Sequence, residues 1–225
     1  MGNMSSVLLF LVFGAAVIAL ASWFGAKRRK ELTRWAASRG LRFDPGRDSS
    51  FDDRYPEFGC LRRGHSRYAL NTSEGTWNGR PMVAFDYRYV TGHGKNRSTH
   101  HFSAVIIEGG QPLKPLRIRS EGIFDRVTEF FGIDDIDFES AQFSREFHVK
   151  SQDKRWAYDV LHQGTMEFLL AAPRFSIQFD ARHAIAWRNR RFDPATFEEA
   201  AGVITGILDR LPDYLAPQDQ RRGET

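Results

Sequence analysis

The chain has very little cysteine and few of the short patterns that announce a reaction. Cys60 is its sole cysteine among 225 residues. An intramolecular disulfide, a Cys-x-x-Cys redox pair and a cysteine-rich zinc site are therefore excluded. No Gly-x-Ser-x-Gly elbow, no His-Glu-x-x-His and no phosphate-binding loop ending in Gly-Lys-Ser/Thr occurs. The six residues at the amino terminus contain no Lys or Arg, although a cleaved export signal normally begins with positive charge. The body of the chain also has no net basicity of its own. Residues 27–43 hold seven basic side chains and one acid, +6, whereas the whole chain is +4 and everything else sums to −2. That distribution, with no nucleic-acid motif, argues against a nucleic-acid partner.

What is present begins with an uncharged run over residues 7–26. Twenty helical residues measure about 30 Å, the thickness of a bilayer core. Leu8, Leu9, Phe10, Leu11, Val12 and Phe13 would cover every face of such a helix, and Trp23 suits a membrane–water boundary. Positive charge follows at Lys27, Arg28, Arg29, Lys30 and Arg34. The expectation is one transmembrane helix at 7–26, a short extracytoplasmic terminus at 1–6 and a domain in the cytosol. The basic cluster would then lie on anionic lipid headgroups at the inner face of the plasma membrane.

Downstream, the patterning predicts a basic helix from 27 with Leu32, Trp35 and Ala36 on one face, within a juxtamembrane segment at 27–43. Residues 44–55, rich in Asp, Gly, Ser and Pro, read as a linker, and 56–215 as one folded domain. Within it, Tyr68 and Leu70 open a strand, Asn78-Gly79 marks a hairpin, and Val83, Phe85, Tyr87 and Tyr89 alternate with Met82, Ala84, Asp86 and Arg88. Strands at 101–108 and 116–119 complete a four-stranded meander. A helix at 124–131 with Val127, Phe130 and Phe131 inward, a strand at 143–149, a helix capped by Ser151 or Asp153 and a helix capped by Thr165 follow. A hairpin holds Phe175, Ile177, Phe179, Ile185 and Trp187, and Asp193-Pro194 starts a final amphipathic helix. Residues 216–225 read as a disordered tail. The fold class expected is α+β: a transmembrane helix, then a largely antiparallel sheet closed by a carboxy-terminal helix, with a pleckstrin-homology-like barrel as a lesser alternative.

Candidate chemistry is sparse. Asp134, Asp135, Asp137 and Glu139 crowd together, but the glycine and terminal glutamate of a calcium loop are missing. His93, His100 and His101 form a second cluster; the last two are adjacent and point to opposite faces of a strand. Gly92-His93-Gly94-Lys95 reads as a hairpin loop. Arg188, Arg190 and Arg191 surround Trp187 and make an anion patch conceivable. No catalytic residue, metal ligand or cofactor is assigned.

Gly75-Thr76-Trp77-Asn78-Gly79-Arg80-Pro81, Phe85-Asp86-Tyr87-Arg88-Tyr89, and Asp137-Phe138-Glu139-Ser140 followed by 143–149 and Asp153 occur in that order. In this the chain resembles a family of uncharacterised single-pass membrane proteins of bacteria. The resemblance implies a bacterial plasma membrane and a domain of unknown function, and it supplies no site residues. The leading expectation is a membrane-anchored, non-enzymatic module that binds a partner protein or ligand. One alternative is a membrane-associated, hydrolase-like enzyme using Asp86, His101, Asp137 and Glu139. A second is an anionic-lipid-sensing domain.

Overall fold

The computed structural model describes residues 2–120 and 135–215, without the side chains at 2–12, 17, 18 and 21. The helix expected at 124–131, the acid at Asp134 and the tail at 216–225 lie outside the described residues.

Helix α1 (Gly2–Ser38) is followed by strand β1 (Arg42–Asp48), the single turn α2 (Phe51–Arg54), β2 (His65–Trp77), β3 (Arg80–Thr91), β4 (Ser98–Glu108) and β5 (Leu116–Ser120). Then come α3 (Ala141–Glu146), β6 (Phe147–Lys150), α4 (Lys154–Val160), α5 (Gln163–Ala171), β7 (Ser176–Phe179), β8 (His183–Arg188) and α6 (Pro194–Leu208). The eight strands make one sheet, ordered β1-β2-β3-β4-β8-β7-β5-β6, and every pairing is antiparallel. With β1 and β6 as separate edges, the sheet is open among the described residues and does not form a barrel.

The transmembrane expectation is corrected. Among the described residues no helix is long and apolar enough to cross a membrane. Residues 2–6, 7–26 and 27–38 belong to one continuous helix, whose far end enters the core through Leu32, Trp35 and Ala36.

Residues 44–55, expected as a linker, hold most of β1 and all of α2. The strand was masked by Pro45-Gly46, which sit in a register shift between Asp44 and Arg47 and bulge the edge without ending it. The meander also differs from expectation. After β4 the chain passes over the β7–β8 turn, where the Gly109 and Leu113 amides donate to the Arg182 and Ala181 carbonyls at 2.7 and 2.9 Å. It reaches β5 three strands further on, so β8 and β7 separate β4 from β5. In the segment expected as a strand at 143–149, α3 intervenes because the Ser140 hydroxyl accepts from the Phe143 amide and caps it. His162 takes the cap of α5 instead of Thr165.

Other local signals act as the residue types dictate. Asn78 and Gly79 both have positive φ, 48° and 77°, the backbone of the tight turn whose twist matches a hairpin. The Asp193 carboxylate accepts from the Thr196 amide and Pro194 occupies the first turn of α6.

Alternation along β3 feeds two cores, one on each side of the sheet. Met82 and Ala84 face α1 and α6, where Trp35 stacks on Phe197 with centroids 5.2 Å apart. Val83, Phe85, Tyr87 and Tyr89 face the opposite way, under Phe51, Phe58, Cys60 and Leu61. Full burial of one such large apolar side chain is worth about 1.5–3 kcal/mol, so residues 51–61 are held down firmly.

Candidate functional site

The most built-up polar arrangement lies beneath α1. Asp86 shares the helix-facing side of β3 with Met82 and Ala84, one turn of the pleat beyond the apolar layer, and is 1% exposed. Its carboxylate receives four hydrogen bonds. Arg28 Nε donates to Oδ2 at 2.8 Å and Arg28 Nη2 to Oδ1 at 2.6 Å. Asn71 Nδ2 donates to Oδ2 at 2.9 Å and the Ser103 hydroxyl to Oδ1 at 2.5 Å. Ser103 Oγ accepts in turn from the Phe192 amide at 3.0 Å.

Each donor is placed by a local feature. Arg28 lies four residues before Leu32 and seven and eight before Trp35 and Ala36, so it belongs to the buried stripe of α1. Asn71 sits in a register shift of β2 between Leu70 and Ser73, with φ of 52°. Asparagine tolerates this left-handed conformation, and the bulge turns its amide onto Asp86. Ser103 is the direct cross-strand partner of Asp86 on β4.

Chemically this is a latch and not an acid–base group. A bidentate guanidinium and two neutral donors occupy the carboxylate's acceptor positions, and almost none of it meets solvent. It joins α1, β2, β3, β4 and, through Ser103, the entry to α6.

His101 is next along the same face, opposite Arg88. Its Nδ1 accepts from Arg191 Nη2 at 3.2 Å. Although part of its ring remains open to solvent, its pKa is held below the ordinary value, first by desolvation and then by Arg191 and Arg88. Asp137 and Glu139 are elsewhere. They alternate, exposed, with buried Ile136 and Phe138 beside β6, five strand positions from β3, about 24 Å at the usual spacing. The hydrolase-like grouping of Asp86, His101, Asp137 and Glu139 is thus not assembled: two members are five strand positions away and Asp86 is sealed.

Of the basic cluster, Lys27, Arg29, Lys30 and Arg34 are exposed, while Arg28 turns inward. The histidine cluster is likewise dispersed. His93 stacks on His65 at 4.9 Å, His100 stacks on Tyr89 and bonds Thr91, and His101 faces the other side. Among the described residues no group of three His, Cys, Asp or Glu is placed to hold a metal. Asp135 pairs with His148 at 2.8 Å. Cys60 is fully buried in the second core.

Two surface clefts occur at the opposite end of the sheet from Asp86's neighbour His101. One, of about 300 Å³, is lined by Tyr55, Glu74, Met82, Ile106, Glu108 and His183. The other, of about 410 Å³, contains Arg80 and Asp209, which are already paired at 3.0 Å. Neither brings a nucleophile to a base. Arg28, Asn71 and Ser103 were missed as a group because they are separated by tens of residues; only the helical spacing of Arg28 with Leu32 and Trp35 signalled its inward face.

No protein-family model matches the chain, and no curated protein matches it. Among solved structures, it is similar to the crystal structure of the mycobacterial trehalose monomycolate transport factor A, TtfA, with a TM-score of 0.61 and 14% identity. The match covers 84% of this chain and 98% of that one. At that identity the likeness shows a shared fold.

Proposed function

We propose that this chain is a non-enzymatic accessory module at the cytosolic face of a bacterial plasma membrane, serving a transport process by binding a protein or lipid partner. The observation that carries this reading is the surface of α1. Phe13, Leu20, Trp23 and Phe24 are 56–70% exposed and are four of the five large hydrophobic side chains so exposed among the described residues. They adjoin the exposed cations Lys27, Arg29, Lys30 and Arg34, with Lys27 over the Trp23 ring at 5.6 Å. Apolar side chains and an indole next to a cationic segment suit the boundary between acyl chains and anionic headgroups. The latch at Asp86 supports the same reading, since it fixes the helix rigidly to the sheet. The fold shared with a protein named as a transport factor supports the transport context.

The test is fractionation of cells expressing the full chain. The wild type is expected in the membrane fraction at physiological salt, and L20E/W23E/F24E in the soluble fraction. Recovery of the wild type in the soluble fraction overturns the proposal.

A further inference from the structure

We infer that the end of the domain formed by the β3–β4 turn is a second docking surface, for anionic lipid headgroups, which seats the sheet end-on against the membrane. This rests on the membrane role proposed above.

The direction of α1 establishes which end faces the membrane. Just past the helix, Leu41 packs on Gly75, where an added Cβ would fall 2.8 Å from its side chain, and Gly75 pairs with Met82. Arg28 lies on Asp86. From Ala36 back to Arg28 the helix covers about 12 Å, and from Met82 to Asp86 the strand covers about 13 Å. Traced toward its amino end, α1 therefore runs with β3 toward Thr91. That strand has about 17 Å left after Asp86, and the helix reaches this distance about eleven residues before Arg28. The helix leaves the domain at the end that carries the β3–β4 turn, with Phe13 beyond that end and Leu20, Trp23 and Phe24 on the stretch leading up to it.

Charge divides along the same axis. At the far end Arg42 pairs with Glu74 at 2.5 Å, Arg80 with Asp209 at 3.0 Å and Arg182 with Glu108 at 3.3 Å. At the near end Lys95 and Arg97 stand exposed on the turn. Neither forms an ion pair with a described residue. Unmatched cations on one end, next to the emerging apolar helix, complement a negatively charged surface. The near-zero charge of the domain as a whole conceals this division, because the opposite end supplies the balancing acids.

The test uses co-flotation of the purified full chain with vesicles of phosphatidylcholine, with and without phosphatidylglycerol. K95Q/R97Q removes two positive charges from the turn, and N78D/Q111E makes the same net change at the far end. The expected result is binding that requires phosphatidylglycerol. It should weaken about fivefold for each near-end cation removed and be unchanged in N78D/Q111E. Wild-type binding retained in K95Q/R97Q overturns this inference and leaves the membrane proposal standing. Equal weakening in N78D/Q111E also overturns it, because net charge alone would then account for the effect. Wild-type failure to bind any vesicle overturns the membrane proposal and this inference together.

Discussion

Arg28 holds Asp86 with two nitrogens at 2.8 and 2.6 Å across 58 residues of sequence, and the carboxylate is buried while the guanidinium side chain is 18% exposed. Removing one partner of a buried pair leaves the other uncompensated, at a cost of about 3–5 kcal/mol. Arg28→Met is therefore expected to destabilise the domain by about that amount in urea unfolding. Adding Asp86→Asn should recover part of the loss, because the stranded charge is gone. An R28M variant as stable as the wild type would show that the pair contributes nothing to holding α1 down.

The cap of α6 gives a pH-dependent prediction. The Asp193 carboxylate accepts from the Thr196 hydroxyl and amide at 2.6 and 2.7 Å. These bonds hold its pKa below the ordinary carboxylate value, the hydroxyl contributing most. With the folded pKa below the unfolded one, its stabilisation is full above the unfolded value of about 4 and is lost as pH falls through the folded value. Asp193→Asn keeps a capping oxygen, so it should flatten stability against pH in that acid window while changing little at pH 7. Asp193→Ala should cost about 1 kcal/mol at pH 7. Chemical denaturation from pH 2 to 7 checks both; an unchanged acid slope in the asparagine variant would remove the carboxylate from the account.

Two glycines with the same backbone handedness should respond differently to alanine. Gly79 has φ of +77° with open space where a Cβ would go, so Gly79→Ala should cost only the left-handed penalty, about 1–2 kcal/mol. Gly64 has φ of +57°, and a Cβ there would fall 2.0 Å from the Val90 carbonyl oxygen. Gly64→Ala must move backbone at the start of β2 and should lose clearly more stability than Gly79→Ala. Thermal melts of the two variants, compared directly, decide the ranking.

How much of this was legible follows from the range of each signal. The Asn78-Gly79 turn, the alternation along β3 and the Asp193-Pro194 helix start are set by neighbouring residues, and they stand in the structure where the sequence places them. The order of the sheet was not legible, since insertion of β8 and β7 beside β4 depends on contacts between residues tens of positions apart. β1 was hidden by Pro45-Gly46, residues that usually end strands but here occupy a bulge. Arg28 was read as one of a run of cations, because charge count dominated over its spacing from Leu32 and Trp35. Asp86 was singled out among polar candidates on type alone; its burial and its partners depend on tertiary packing.

Cys60 offers a direct probe of the layer that covers the second face of the sheet. It is fully buried, so a thiol reagent reaches it only when residues 51–64 lift away. The Tyr87 hydroxyl donates to the Leu61 carbonyl at 2.8 Å, next to Cys60, and burial pushes the pKa of that hydroxyl up, keeping it a donor throughout the working pH range. Tyr87→Phe removes this bond with little change in shape and leaves a buried carbonyl unmatched, a loss of about 1–1.5 kcal/mol. If opening is local, native-state labelling of Cys60 should accelerate about five- to tenfold in the variant. Should both proteins label at one slow rate matching global unfolding, the covering segment opens only with the whole domain, and Tyr87 is not its fastening.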